Sequence, residues 1–273
     1  MSRLSRERVR IALSPHHVAM VRLQPGWNKL HVTDRKRLSC AQTEEQPNWS
    51  TALATLHEML SQPNSVRAPT TVILSNHFMR YMVLPWSAEL VTASEEFVYA
   101  RARFVQVFGD KARHWAIRTS DAPARVERLA AATDAALLDA LARTLEASGL
   151  SLESCQPALM AQFNASRNRI GEDAWLVSAE HGRLLVALVR NGRWRSVRAR
   201  PLNGTVVGLR DLLEQERVLV SAGAPDNRIF VSAGDDVVID SQGLRTEPLG
   251  PGSVGPPGTP GDATYALAMT GVH

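Results

Sequence analysis

The residues with the right types and spacing for phosphate chemistry are Gly250-Pro251-Gly252-Ser253-Val254-Gly255, which match the GxGxxG pattern of dinucleotide-binding loops. Such a loop works only where a strand leads into a helix whose N-terminus holds the pyrophosphate. Here Pro256 and Pro257 follow at once, and the segment 250–261 holds four prolines and five glycines, so it reads as an irregular loop and not as a nucleotide site. His16 and His17 are adjacent. In a strand they point to opposite faces and do not share a metal. Cys40 and Cys155 fit no metal or redox spacing. No HExxH, paired-cysteine, Walker or GxSxG motif is present, which removes the common signatures of hydrolases and metal sites. Arg193, Arg195, Arg198 and Arg200 form a basic run, but strand alternation puts Arg195 on one face and Arg198 and Arg200 on the other. They read as a solvated edge strand in preference to a polyanion site.

Bulk composition bounds the function from the other side. The chain has 273 residues, enough for one large domain or two medium ones, and a formal charge of +4 from 31 basic against 27 acidic residues. Only Lys29, Lys36 and Lys111 are lysines, and the basic residues are scattered, so charge does not imply nucleic acid. Two distant thiols suit a reduced, intracellular compartment. The apolar stretch Ile11 to Leu13 is too short for a signal-peptide core, and no window approaches the roughly 20 apolar residues of a membrane span. A role at a membrane would therefore need a partner to hold the chain there.

The elements that would position any site are most legible between Ala174 and Pro201. Apolar runs at Trp175–Ala179 and Leu184–Val189, a His181-Gly182 turn and an Asn191-Gly192 turn predict a three-stranded meander. The same layout occurs at Arg8–Leu13, Val18–Leu23 and Leu30–Leu38, broken by Ser14-Pro15 and Pro25-Gly26. The chain thus reads as a duplicated α/β unit. Trp49, Leu53, Leu56, His57 and Leu60 predict a core-facing helix after a polar break at Glu44, Glu45, Pro47 and Asn48. Thr70–Trp86 predicts two strands around a Ser75-Asn76-His77 turn, completing the first sheet. Phe97, Ala100, Phe104 and Val107 predict the inward face of the next helix. Strands follow at Trp115–Arg118 and Arg128–Ala132, then a helix buried through Leu137, Leu138, Leu141 and Leu145. After an extended Leu150–Cys155, Pro157 opens a further helix. In the second half, Val206, Leu209, Leu212 and Leu213 predict a helix, Arg228–Ser232 and Val237–Asp240 strands, and Ala263–Met269 a closing helix.

A duplicated meander followed by helix and strand resembles the actin-like, ribonuclease-H-like ATPases. The segments Val72–Trp86, His114–Arg118 and Cys155–Asn164 resemble the family of PilM, the GspL cytoplasmic domain and MshI, actin-like proteins of type IV pilus, MSHA pilus and type II secretion assembly. The resemblance implies two similar α/β halves: residues 1–170, with an inserted subdomain at about 87–150, and residues 171–273, with the Pro/Gly-rich loop 250–261.

The fold's ATP site uses two hairpins, each with an acid on its first strand to hold a hydrated metal and a glycine at the turn to let amides approach phosphate. At the matching positions this chain has Ala12 for the first acid and Ser14 for the first glycine, with Pro15 removing a donor. In the second hairpin Ser178 stands for the acid and Glu180 for the glycine, and a one-residue slip would make Glu180 a displaced metal acid. Ser232-Ala233-Gly234 resembles the glycine turn under adenine. The resemblance thus implies a non-catalytic scaffold with no cofactor and no metal, whose nucleotide-site positions are vestigial. It implies docking of a short cytoplasmic peptide from a PilN-like inner-membrane protein, first sought around Thr70–Trp86. An assembly ATPase is a second expected partner, and the expected location is cytoplasmic, held at the inner membrane through the partner. The alternative is a nucleotide-binding ATPase or sugar-kinase relative using ATP and magnesium. A ribonuclease-H-type nuclease ranks last, because its two metals need clustered carboxylates and the first is missing at Ala12.

Overall fold

A computed structural model describes residues 7–26, 30–41, 49–61, 68–90, 92–220, 228–250 and 262–270. The expected polar break at Glu44–Asn48 and nearly all of the Pro/Gly-rich loop, residues 251–261, lie outside the described residues. By compactness the chain divides into two units. One comprises Met1–Phe78, Ala136–Ser166 and Gly250–His273; the other comprises Met79–Ala135 and Arg167–Leu249.

The first unit is built on β1 (Arg8–Leu13), whose Val9, Ile11, Ala12 and Leu13 are all buried. Both faces are covered from Ile11 to Leu13, which is why that stretch reads as continuously apolar, whereas Arg8 and Arg10 alternate with Val9 before it. β1 pairs antiparallel with β2 (His17–Pro25), which pairs in turn with β3 (Leu30–Ser39). On its other side β1 runs parallel to β4 (Pro69–Leu74), which is followed by β8 (Ser151–Pro157), giving the order β3-β2-β1-β4-β8. Helix α1 (Trp49–Leu60) packs on β2 and β3 through Leu53, Leu56 and Leu60, whereas His57 is exposed. Helix α6 (Asp262–Ala268) packs on β1, β2 and β4. Helix α3 (Ala135–Ala147) buries Leu137, Leu141 and Leu145 and ends at Gly149, whose φ of +76° takes the left-handed conformation that glycine tolerates.

The second unit repeats that arrangement. β9 (Ala174–Glu180) pairs antiparallel with β10 (Arg183–Arg190) and parallel with β13 (Ile229–Ala233). With β11 (Arg193–Pro201) and the two-residue β15 (Glu247–Pro248) the order is β11-β10-β9-β13-β15. Asn191 and Gly192 close the β10–β11 hairpin with φ of +51° and +67°, the two left-handed residues of a tight hairpin turn. Helix α5 (Leu209–Val220) lays Leu209, Leu212 and Leu213 against Trp175, Val177 and Leu184.

The remainder of this unit is a small antiparallel sheet in the order β5-β7-β6, formed by β5 (Arg80–Leu84), β7 (Arg128–Asp134) and β6 (Trp115–Thr119). β5 therefore does not complete the first sheet as the sequence suggested: it bonds to β7, and β8 fills the place beside β4. The small sheet is covered by α2 (Ala93–Phe108), started by a capping box in which the Glu95 amide donates to Thr92 Oγ1 at 3.2 Å and the Thr92 amide to Glu95 Oε2 at 2.8 Å. Its buried residues are Ala100 and Phe104, and Phe97 and Val107 are 43% and 57% exposed. The Arg101 guanidinium covers the Phe97 ring from 4.8 Å. Val206 belongs to β12 (Val206–Gly208), which pairs with β14 (Val238–Asp240), not to α5.

β5 runs beside β11, which groups the inserted strands with the second sheet, and α6 lies on the first. Truncating Phe104 to Ala should lower the unfolding free energy by about 3–5 kcal/mol in urea, and Val98→Ala, at a residue 63% exposed, should change it by less than about 0.5 kcal/mol.

Candidate functional site

In open α/β sheets, ligands bind beyond the carboxyl ends of the strands, where the connections on the two sides of a strand diverge. Here that point is the end of β1 in one unit and the end of β9 in the other. The pairing registers fix which residues correspond. Ala12 faces Ala19 as Ser178 faces Leu185, and Leu13 runs beside Leu74 as Ala179 runs beside Ala233. Ala12 of one hairpin therefore corresponds to Ser178 of the other, as Ser14 does to Glu180.

At the end of β1 the turn bonds to itself. The Ser14 amide donates to the His17 carbonyl at 3.1 Å and its hydroxyl to the same carbonyl at 2.8 Å, while the His17 amide donates to Ser14 Oγ at 3.1 Å. Between them Pro15 has no amide hydrogen. The His16 carbonyl accepts the Cys40 amide at 2.8 Å, and the His16 ring meets His77 edge-on, with centroids 5.5 Å apart.

Ala12 is 1% exposed and packs with Ala19, Val21 and Ala268, so α6 covers the face of β1 on which it lies. Arg10, two residues back on the same face, fastens that helix: Nε donates to the Ala268 carbonyl at 2.6 Å and Nη2 to that of Thr270. A cation at the C-terminal carbonyls also complements the helix dipole. Burial, and then the Arg8 charge, lower the Arg10 pKa from its ordinary value. Sequence reading found Ala12 but not its cover, because a seven-residue helix some 250 residues away leaves no local signal.

In the second unit Ser178 is 2% exposed and lies beside Ser232 in the parallel pair. Glu180 ends β9 opposite Arg183. The Gly234 amide donates to the Ala179 carbonyl at 2.8 Å, and a Cβ on Gly234 would lie 3.8 Å from Glu180 Cα. His181 Nδ1 contacts Asp236 Oδ2, joining the β9–β10 turn to the turn after β13. The first unit makes the matching bond: the Ser75 amide donates to the Leu13 carbonyl at 2.9 Å, and Ser75 and Asn76 are buried. The structure thus brings Ser178, Glu180 and Gly234 to one end of one sheet, and Ala12 and Ser14 to the corresponding end of the other.

The remaining singled-out residues have separate surroundings. The Cys40 thiol donates to the Ser14 carbonyl at 3.7 Å. Burial pushes its pKa up, against the lowering effect of a bond from Thr55. Burial pushes the Cys155 thiol up to about 12. Arg195 pairs with Glu127 at 2.6 Å, and Arg198 and Arg200 both approach Glu216. Among the described residues no group of three or more His, Cys, Asp or Glu is placed to hold a metal, and no helix is long and apolar enough to cross a membrane.

This architecture is similar to solved structures over nearly the whole chain. One is the cytoplasmic domain of EpsL, an inner-membrane component of the type II secretion system of Vibrio cholerae: 12% identity, 98% of this chain and 96% of that one, TM-score 0.59. A second is a chain of a PilM–PilN type IV pilus biogenesis complex: 12% identity, 96% of each chain, TM-score 0.61. A third is a Bacteroides thetaiotaomicron protein with an actin-like ATPase fold and unknown function: 10% identity, 85% of each chain, TM-score 0.55. No protein-family model and no curated protein matches the sequence. The chain has the actin-like ATPase fold.

Ala12→Asp, which restores an acid to the first strand, should lower stability by at least about 3 kcal/mol, because the carboxylate would be buried without a partner under α6. An undiminished urea midpoint would mean that this face is open. The thiols give a second check. An unfolded thiol ionises near 9 and folded Cys155 near about 12, so its contribution to stability is full below about pH 9 and fades between those values. Iodoacetamide at about pH 8 should leave both Cys40 and Cys155 unlabelled in the native protein and label both in urea, read by mass spectrometry.

Proposed function

We propose that this chain is a non-catalytic, actin-like scaffold of a type IV pilus (MSHA-like) or type II secretion assembly machine, which holds the cytoplasmic segment of a PilN-like inner-membrane protein. The observation that carries the loss of catalysis is the state of Ala12: the first strand offers no metal-binding acid, and α6 covers the position where one would stand. The self-bonded Ser14 turn supports the same reading, since the Ser14 and His17 amides already have acceptors. In the second hairpin a carboxylate at Glu180 replaces the glycine, and unscreened by metal it repels a triphosphate by about 1–4 kcal/mol at 4 Å. The assembly role rests on the likeness to the EpsL cytoplasmic domain and the PilM–PilN complex. In this reading the protein works on the cytoplasmic side of the inner membrane, held there by its partner, and the surfaces around Thr70–Trp86 are the first place to look for the docked segment. An assembly ATPase is a second partner of the same platform.

The test is a titration of N-terminal cytoplasmic peptides from candidate inner-membrane assembly proteins onto immobilised protein. One peptide should bind saturably and one-to-one, and its scrambled version should not. Failure of every candidate, together with saturable binding of Mg-ATP, would replace the scaffold with a working nucleotide-binding protein.

A further inference from the structure

We propose that the groove formed by β5, β10, β11 and α5 in the second unit binds a short acidic peptide segment carrying several carboxylates and at least one apolar side chain. The groove has a volume of about 480 Å³, within the roughly 300–1,000 Å³ of sites that enclose a small ligand or a few residues. Four guanidinium groups line it, from Arg80, Arg183, Arg198 and Arg200, against the single carboxylate of Glu216. No two of the arginines at 80, 183 and 198 are neighbours in the sequence, so the concentration of charge is a product of the fold.

Glu216 meets only two of these arginines, Arg198 and Arg200, and meets them loosely. Glu216 is 2% exposed, yet Arg198 Nε lies 3.5 Å from one of its oxygens and Arg200 Nη1 3.9 Å from the other. Charge-assisted hydrogen bonds close to roughly 2.7–2.9 Å, so Glu216 orients the two side chains from below without saturating their donors. Arg183 Nε is buried with no acceptor among the described residues. The Arg80 pKa is lowered by burial and then by the neighbouring Arg183 charge; that of Arg183 is lowered by burial, against the pull of Glu180 and Tyr81. Guanidinium groups stay protonated under such shifts, so Arg80 and Arg183 place like charges near one another, an arrangement that favours an anion beside them.

The rest of the lining selects the kind of anion. Tyr81, Phe108, Val197 and Leu219 supply apolar wall beside the arginines, and Leu219 is 54% exposed. Inorganic phosphate uses the charge and none of this wall, whereas a peptide with carboxylates and one apolar residue uses both. A nucleic-acid duplex requires a stripe of cations along its backbone, and Arg195, the next arginine on β11, is committed to Glu127 at 2.6 Å. The groove adjoins the β9–β10 turn through Arg183, opposite Glu180, and does not depend on the scaffold reading.

The experiment uses the full chain and a fluorescein-labelled Glu-Asp-Leu-Glu-Asp peptide, capped at both ends, read by anisotropy at low salt. Saturable binding is expected. It should be lost when the acids become lysines, weakened several-fold when leucine becomes glycine, and weakened about tenfold in Arg183→Gln and in Arg198→Gln, the effect of losing one charge-assisted hydrogen bond. Arg193→Gln, an exposed change outside the groove, should leave binding unaltered. Circular dichroism monitors folding, and Arg198, whose side chain is 47% exposed, provides the variant least coupled to it. Absence of binding, equal binding of the lysine peptide, or an equal loss in Arg193→Gln would overturn the proposal. So would tripolyphosphate binding at the groove arginines without binding of the peptide.

Discussion

One hydrogen bond, made twice, governs what the strand ends can do. In each unit the last carbonyl of the central pairing accepts the amide of the residue just past the neighbouring parallel strand: Leu13 from Ser75 and Ala179 from Gly234. That bond sits where the antiparallel hairpin on one side of the strand diverges from the parallel crossover on the other, the place where such sheets bind ligands. It holds the two loops of each unit together beside the hairpin turn. In the first unit the turn is closed by Ser14 and His17 upon themselves, with Pro15 between them. In the second, His181 and Asp236 join the facing turns beside a carboxylate at Glu180.

Much of this was legible in the sequence, because meanders and tight turns are local. Asn191-Gly192 has the left-handed conformations its residue types suggest, and the strands from Arg8 to Ser39 and from Ala174 to Pro201 follow the apolar runs and breaks. What was not legible is non-local. Whether β5 continues the first sheet or founds another depends on pairing with β7, nearly 50 residues later, and nothing within Arg80–Leu84 records that choice. The face of α2 was misread for a related reason. Phe97 and Val107 have helical spacing, but the residues packed toward the small sheet are Ala100 and Phe104, with Tyr99, Val105 and Phe108 partly buried beside them, and Arg101 covers Phe97 instead. The residue types at Ala12, Ser14, Ser178 and Glu180 are visible in the sequence, whereas the roles of α6 and Arg10 in covering Ala12 are visible only in the fold.

The charged residues divide in the same way. The run Arg193–Arg200 reads as one basic stripe, yet its members have different surroundings: Arg195 pairs with Glu127, and Arg198 and Arg200 converge on Glu216. Arg80 and Arg183 join the latter pair from other strands. A chain whose strand ends are occupied by their own hydrogen bonds thus also gathers four arginines in a groove with apolar walls. Such a combination suits recognition of protein segments better than turnover of a small molecule.

The proposed scaffold role requires that the actin-like fold here does not grip a triphosphate. Isothermal titration of the full chain with ATP and magnesium measures this directly. The account predicts heats indistinguishable from dilution up to about 1 mM nucleotide, where even a weak site of that dissociation constant would contribute about 4 kcal/mol of binding free energy. A one-to-one isotherm in the micromolar range would contradict it, because the Ser14 turn and the covered Ala12 would then have to open at little cost.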